Sequence, residues 1–255
     1  MIYNYLDKNI KGYNSVSLFE KAGTVTNVPV QEGLILPSDA ELVGVHGVLR
    51  GTGEIIKQAI DQNVPWMYMD NAGHYFPEMY KRVILNATAP ITFRGGKRFE
   101  HNIKLERWRG GKGSKIIVLP PSPPYMDTFG CRNFLNHIAH NVNIYTDKEI
   151  VIRAKPAKGR KALPWEEQLE DAYCVITWGS ALALDAMIKG VPTISLGWCP
   201  AKNVSLQLHD LETSLLAHEP ARMDTLNNLT WCSFKREELP LAYEIAIENS
   251  TYQKL

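Results

Sequence analysis

Short apolar runs alternate with segments of helical periodicity along most of the chain, the pattern of parallel strands joined by crossover helices. In the first half, SVSLF (15–19), GLILP (33–37), ELVGVHGV (41–48), PWMYMD (65–70) and KRVILNA (81–87) read as strands. From Thr52 to Asn63, the residues Ile55, Ile56, Ala59 and Ile60 recur at helical spacing and predict a helix with one buried stripe. The second half repeats the alternation, with strands at KIIVLPPSPP (115–124), EIVIRAKP (149–156), YCVITWGS (173–180) and VPTISLG (191–197). Helices are predicted around Phe129, Phe134, Leu135 and Ile138, at PWEEQLEDA (164–172), at ALALDAMIKG (181–190), and over 222–232 and 236–249. From Phe93 to Ser114 glycine and basic residues dominate, so that stretch reads as an interdomain linker or a mobile loop. The expectation is an α/β chain of two domains, 1–110 and 111–255.

Composition narrows the class. With 255 residues, 45% hydrophobic and 22% charged, the chain is average for a globular protein, which excludes a disordered, collagen-like or coiled-coil chain. No apolar run approaches the roughly 20 residues needed to cross a bilayer, and MIYNYLDKNIKG is too polar for a signal-peptide core. A cytoplasmic location without membrane contact is the expectation. Cys131, Cys174, Cys199 and Cys232 show no CxxC spacing and are expected to be buried reduced thiols. The net charge is +1, yet Arg94 to Lys115 holds eight Lys/Arg against two Glu, and Arg153 to Lys161 five against none. The remainder is acidic by ten, a segregation that suits a phosphate-bearing partner, although each run taken alone also fits a solvated loop.

In open parallel sheets, ligands bind beyond the carboxyl ends of the strands. In the second half those ends carry Pro120 to Pro124 with Ser122, then Arg153 and Lys155, then Trp178-Gly179-Ser180 leading into Ala181, then Gly197-Trp198. A tight Gly-Ser turn with small residues after it would open a helix close to a ligand, whose free N–H groups suit a diphosphate, with Arg153 and Lys155 as countercharge. The plainer reading is that Ser180 caps a helix. In the first half His46, Arg50, Asp70, His74 and Tyr75 follow predicted strands. Asp70 is the first choice of general base and His46 the second; Asp70 also fits an Asx turn, and His46 a satisfied, partly buried histidine. Arg50, within RGTG, would bind phosphate or stand at the surface before a cap at Thr52, and His74 and Tyr75 would line an acceptor site or simply pack.

The stretch from Cys174 to Gly197, with its strand, its Trp-Gly-Ser turn and ALALDAMIKGVPTISLG, resembles the nucleotide-sugar-binding half of glycosyltransferases with two Rossmann-like domains facing across a cleft, the GT-B fold. It is most similar to the capsule-type and Kdo-type transferases, and IRAKP resembles their Arg-x-(His/Lys)-Pro strand end, Lys155 standing where a histidine is often found. The segment HGVLRGTGEIIKQAIDQNVPWMYMDNAGHYF resembles phage-encoded proteins of glycosyltransferase type, which would place the chain in a host cytoplasm. The resemblance implies a donor site of Arg153, Lys155, Trp178, Gly179, Ser180, Ala181, Ser122 and Gly197, and an acceptor site with Arg50, His74, Tyr75 and Arg94. It implies a nucleotide-sugar co-substrate, a UDP- or GDP-sugar, with no other cofactor. The sequence contains no Asp-x-Asp motif, so no metal is required.

The acceptor stays open. Phe93, Phe99 and Trp108 interleave with the first basic run, a composition suited to a polynucleotide, so DNA bound through 94–115 and 153–161 is one expectation. A hydroxymethylated pyrimidine, as for the T-even phage DNA glucosyltransferases, would then be the acceptor, flipped out or unpaired. The alternatives are a capsule or lipopolysaccharide glycan, or a non-catalytic nucleotide- or nucleic-acid-binding module. Neither GxGxxG nor GxSxG occurs, which disfavours a dinucleotide enzyme and a nucleophile-elbow hydrolase.

Overall fold

Ten strands, counted among the described residues, sort into two sheets. The structure is a computed structural model that describes residues 1–6, 18–71, 76, 81–90, 94–155, 164–213 and 218–251. The chain divides into two compact units, the first made of Met1–His101, Pro124–Gly130 and Asn228–Leu255, the second of Asn102–Pro123 and Cys131–Asn227.

The first unit holds β1 (Ile2–Leu6), β2 (Val25–Pro29), β3 (Leu42–His46), β4 (Trp66–Asn71), β5 (Lys81–Leu85) and β10 (Ser233–Phe234), in the order β10-β5-β4-β3-β1-β2. β2, β1, β3 and β4 run parallel, and β5 and β10 add antiparallel pairings at one edge. Because side chains alternate along a strand, the register divides this sheet into two faces. Leu42, Met67, Met69, Val83, Leu85 and Phe234 share one face, packed with Phe19 and with helix α7 (Leu239–Thr251). On the other face Trp66 stacks with Phe129, 6.1 Å between centroids, and helix α1 (Thr52–Asp61) buries Ile55, Ile56 and Ala59. Each such side chain removed from water contributes roughly 1.5–3 kcal/mol, so a one-residue slip of register, which would expose a whole face, is strongly disfavoured.

The second unit holds β6 (Lys115–Leu119), β7 (Glu149–Ile152), β8 (Ala172–Thr177) and β9 (Thr193–Ser195), all parallel, in the order β7-β6-β8-β9. Ile116, Val118, Cys174, Ile176 and Ile194 face helix α3 (Phe134–Tyr145). Ile117, Leu119 and Val175 face helices α4 (Trp165–Glu170) and α5 (Leu182–Ile188). The first four strands of this unit thus repeat the arrangement of β2-β1-β3-β4, with the second strand on one side of the first and the third and fourth on the other. In both sheets the connection order reverses between the first and third strands, the place where parallel sheets take ligands.

Several elements depart from the sequence reading. Residues 33–37 form no strand, because the Gln58 side chain supplies the partners a strand neighbour would: its amide donates to the Leu34 carbonyl at 2.8 Å and its oxygen accepts from the Leu36 N–H at 2.7 Å. β1 and β2 were not expected, and of the run 15–19 only Leu18 and Phe19 are described, in a 3-10 turn. The expected helix around Phe129 is two, α2 (Pro123–Thr128) and α3, and the one over 222–232 is α6 (Arg222–Leu229) followed by a 3-10 turn (Thr230–Cys232). The chain passes from the first unit to the second within the expected linker 93–114, after His101, and residues 102–114 are then bonded to the second unit. The Glu106 N–H donates to the Ile188 carbonyl at 2.9 Å and the Arg109 N–H to the Gly190 carbonyl at 2.8 Å, while the Arg222 guanidinium donates to the Glu106 carbonyl at 2.8 Å. All four cysteines are buried and outside any disulfide, and burial pushes the Cys232 thiol up to about 11. No described helix is long and apolar enough to cross a membrane.

Candidate functional site

His46 is the last residue of β3, beside β1 at the point where connection order reverses. Its Nε2 lies 3.4 Å from Lys81 Nζ, which donates at 2.6 Å to Asn71 Oδ1. The three residues come from the ends of neighbouring strands. β5 runs antiparallel to β4, so its first residue, Lys81, pairs with the last of β4, Asn71. Lys81 is only 5% exposed. Burial first, and the Lys81 ammonium second, hold the His46 imidazole below the usual histidine range, while Asp70 and a bond to its own backbone pull the other way. Burial likewise lowers the proton affinity of Lys81, against Asp70.

Asp70 sits one residue before Asn71 and therefore on the opposite face of the sheet from His46. There its Oδ2 accepts from the Tyr68 hydroxyl at 3.1 Å and lies 3.8 Å from the Arg82 guanidinium, while Oδ1 accepts from the Asn71 N–H at 2.7 Å. Burial first, then Asp70, raises the Tyr68 phenol well above its usual range. Both carboxylate oxygens are thus engaged, and the two candidate bases belong to separate constellations at one sheet edge. Lys81, Asn71, Tyr68 and Arg82 were not singled out from the sequence. The signal that could have found Lys81 is a charged residue opening an apolar run.

Arg50 is exposed and left-handed at φ 59°, and it precedes Gly51 at φ 94°. Gly51 is needed twice over, since a Cβ there would press on the Gln31 carbonyl as well as strain the backbone. Thr52 does not cap α1: its hydroxyl donates to the carbonyls of Leu49 at 2.7 Å and Gly47 at 3.1 Å, tying down the loop after β3. His74 and Tyr75 lie outside the described residues. Arg94 is held by Glu248 at 3.2 Å and stacks over Trp231, 4.6 Å from the centroid.

In the second unit the Thr177 hydroxyl donates to the Leu119 carbonyl at 3.0 Å and accepts from the Ser180 N–H at 3.0 Å, joining β8 to β6 where their order reverses. Ser180 then accepts the Leu182 N–H on its hydroxyl and the Ala183 N–H on its carbonyl, both at 3.3 Å, and Ala181 accepts the Leu184 N–H, so these opening amides of α5 are engaged within the chain. Trp178 turns to the α3 face, edge-on to Phe134, and leaves no room for a Cβ on Gly197, which its indole would meet at 2.5 and 2.7 Å. Ser122, after β6, and Gly197, after β9, stand at the same end of the sheet as the 178–180 bend, since all four strands run parallel.

Arg153 follows β7 on the opposite face, alternating with Val151, and its guanidinium stacks over Trp165, 5.1 Å from the centroid. It lines a groove of about 380 Å³ with Ile117, Val151 and Gln168, two strand spacings (about 10 Å) from the bend. Lys155 is exposed, and the basic positions 158, 160 and 161 lie outside the described residues. In the other basic run, Arg98 forms a two-pronged pair with Glu238 at 2.8 and 3.2 Å, Arg109 donates to the Leu169 and Glu170 carbonyls, and Lys97 pairs with Glu100 at 2.5 Å. Those cations serve the fold's own contacts. Among the described residues no three His, Cys, Asp or Glu side chains gather as metal ligands.

No protein-family model matches the chain, and no curated protein sequence matches it. Among solved structures, KpsC from Thermosulfurimonas dismutans, a beta Kdo 2,4 transferase, is similar at 11% identity over 84% of this chain and 89% of that one, with a TM-score of 0.41, a weak likeness.

Proposed function

We propose that the chain is a glycosyltransferase of the two-Rossmann kind, which binds a nucleotide-sugar on the second unit and an acceptor hydroxyl on the first. One observation carries the reading: both units run their parallel strands in the same order, and both place polar side chains where that order reverses. In the first unit these are His46 and Lys81, and in the second the Thr177–Ser180 bend. The acceptor oxygen attacks the anomeric carbon, the bond from that carbon to the diphosphate breaks, and the hydroxyl proton passes to a base. His46 suits that role better than Asp70, whose two oxygens already accept from Asn71 and Tyr68. Lys155, exposed just past the end of β7, offsets charge on the departing diphosphate.

The test is a thermal-shift screen of the whole chain against a panel of sugar nucleotides that includes UDP- and GDP-sugars, followed by mass analysis of candidate acceptors incubated with the hit. Stabilisation by one nucleotide class, reduced in Lys155→Ala, supports the reading. No stabilisation by any of them overturns it. The contacts made by Arg94, Arg98 and Arg109 do not favour DNA over a glycan as acceptor. Hydroxymethylated DNA therefore enters the acceptor panel beside sugars.

A further inference from the structure

The fold leaves the charge of Arg153 without an opposite. Its guanidinium lies over the Trp165 ring, 5.1 Å from the centroid, and its buried Nε has no hydrogen-bond partner. No carboxylate among the described residues pairs with it. Arg153 stands at one end of the groove bordered by β6, β7 and α4, whose floor holds the register partners Ile117 and Val151 and whose wall holds Gln168. Lys115, where β6 begins, and Asp171, after α4, line the other end. Those two answer each other: Lys115 Nζ is 3.9 Å from Asp171 Oδ2, and Asp171 also accepts the Ser114 N–H at 2.9 Å. Since Lys115 is the register partner of Glu149, Arg153 stands four residues further along, roughly 13 Å from that end.

We propose that this groove binds a small monocarboxylate with an apolar body, its carboxylate on the Arg153 guanidinium and its chain along Ile117 and Val151. A guanidinium presents its N–H groups as a planar fork that matches the two oxygens of a carboxylate. Stacking on Trp165 fixes the plane of the fork and leaves its edge to an acceptor. Arg153 is half-buried, and partial withdrawal from water strengthens such a bond. The groove, about 380 Å³, has room for a chain of several carbons, and each methylene laid on its aliphatic floor raises affinity by up to about fourfold. Glu167, exposed at the rim, and Asp171 line the same groove, so a ligand with one negative charge is favoured over a phosphate monoester with nearly two. Only hydrogen bonds and apolar contacts form. The groove opens on the α4 face of the sheet, whereas Trp178 of the 178–180 bend packs on the α3 face, so this ligand is distinct from the nucleotide-sugar.

The test is calorimetric titration of the whole chain near neutral pH with octanoate, octylammonium and acetate, all below micelle-forming concentrations. Octylammonium keeps the chain and reverses the charge; acetate keeps the charge and drops the chain. Saturable binding of octanoate, at least about tenfold tighter than either control, supports the site. Arg153→Met keeps a side chain over Trp165 and removes the charge, and it is expected to weaken octanoate at least about tenfold. In a proton–nitrogen correlation spectrum the Trp165 indole N–H signal, assigned with Trp165→Phe, is expected to shift with the same midpoint. Octanoate that fails to saturate or binds no better than the controls, a folded Arg153→Met that binds it like the wild type, or an unmoved Trp165 signal overturns the proposal. If Arg153→Met does not fold, the three probes and the Trp165 signal decide. A sugar-nucleotide shift that depends on Lys155 stands or falls apart from this result.

Discussion

His46 Nε2 and Lys81 Nζ stand 3.4 Å apart although 35 residues separate them along the chain. The contact exists because β5 runs back beside β4 and brings the start of one strand to the end of its neighbours. An imidazole held there resists protonation, which has a consequence for stability. The folded proton affinity of His46 is lowered, so the stability it contributes is present above about pH 6.5 and is lost as pH falls through the folded value. Thermal melts from pH 7.5 down to 5, roughly the range in which histidine titrates, should show a decline that His46→Gln flattens. An unchanged profile in that variant would refute the assignment.

Gly197 and Trp178 are in direct contact across the ends of β9 and β8. Gly197→Ala forces its methyl group against the indole, an overpacking expected to cost about 1–3 kcal/mol. The denaturation midpoint should fall, and the tryptophan fluorescence should change with it.

Thr177 links β6 to the turn before α5 through one hydroxyl that both donates and accepts. Thr177→Val keeps the shape and strands a buried carbonyl and an N–H, at a cost of about 1–3 kcal/mol. If the second unit binds a nucleotide-sugar as proposed, affinity should fall alongside stability. A variant with wild-type stability would show that the hydroxyl contributes nothing.

Arg98 is the best connected of the basic residues between 94 and 115. Its guanidinium reaches Glu238 and the Thr230 and Ser233 carbonyls, and it lies 4.5 Å from the Phe234 ring centroid. Burial raises the Glu238 carboxyl, yet the Arg98 and Lys235 hydrogen bonds outweigh it and leave the group below its usual range. Because Glu238 is partly exposed, Arg98→Ala is expected to cost about 2 kcal/mol rather than the 3–5 of a fully buried pair, and chemical denaturation would measure it.

How far the sequence reveals this architecture depends on what identifies each element. Ile116 to Val118 and Cys174 to Ile176 announce buried strands because both faces of their sheet are covered. β1, with Tyr3, Asn4 and Tyr5, does not, since its polar atoms hide its burial. Residues 33–37 look like a strand because Leu34 and Leu36 are buried, but a glutamine side chain 24 residues away satisfies the Leu34 carbonyl. At the candidate site, His46 and Asp70 are visible as polar residues after apolar runs. That they point to opposite faces depends on inter-strand register, which no local pattern carries. Lys81 is hidden because its importance comes from a residue 35 positions away.

The first unit begins at Met1 but closes only with residues 228 onward: β10 pairs with β5, and Leu239, Ala242 and Ile245 of α7 cover Met67 and Val83. During synthesis on the ribosome, the amino-terminal sheet must therefore wait, with one apolar face bare, until the residues from 228 onward have emerged. The stretch from 102 to 227 contains all four strands of the later sheet and needs no such delay. Premature termination before Ser233 would leave the earlier half exposed to chaperones or proteases while its sister lobe matures, reversing the usual order in which nascent chains acquire structure.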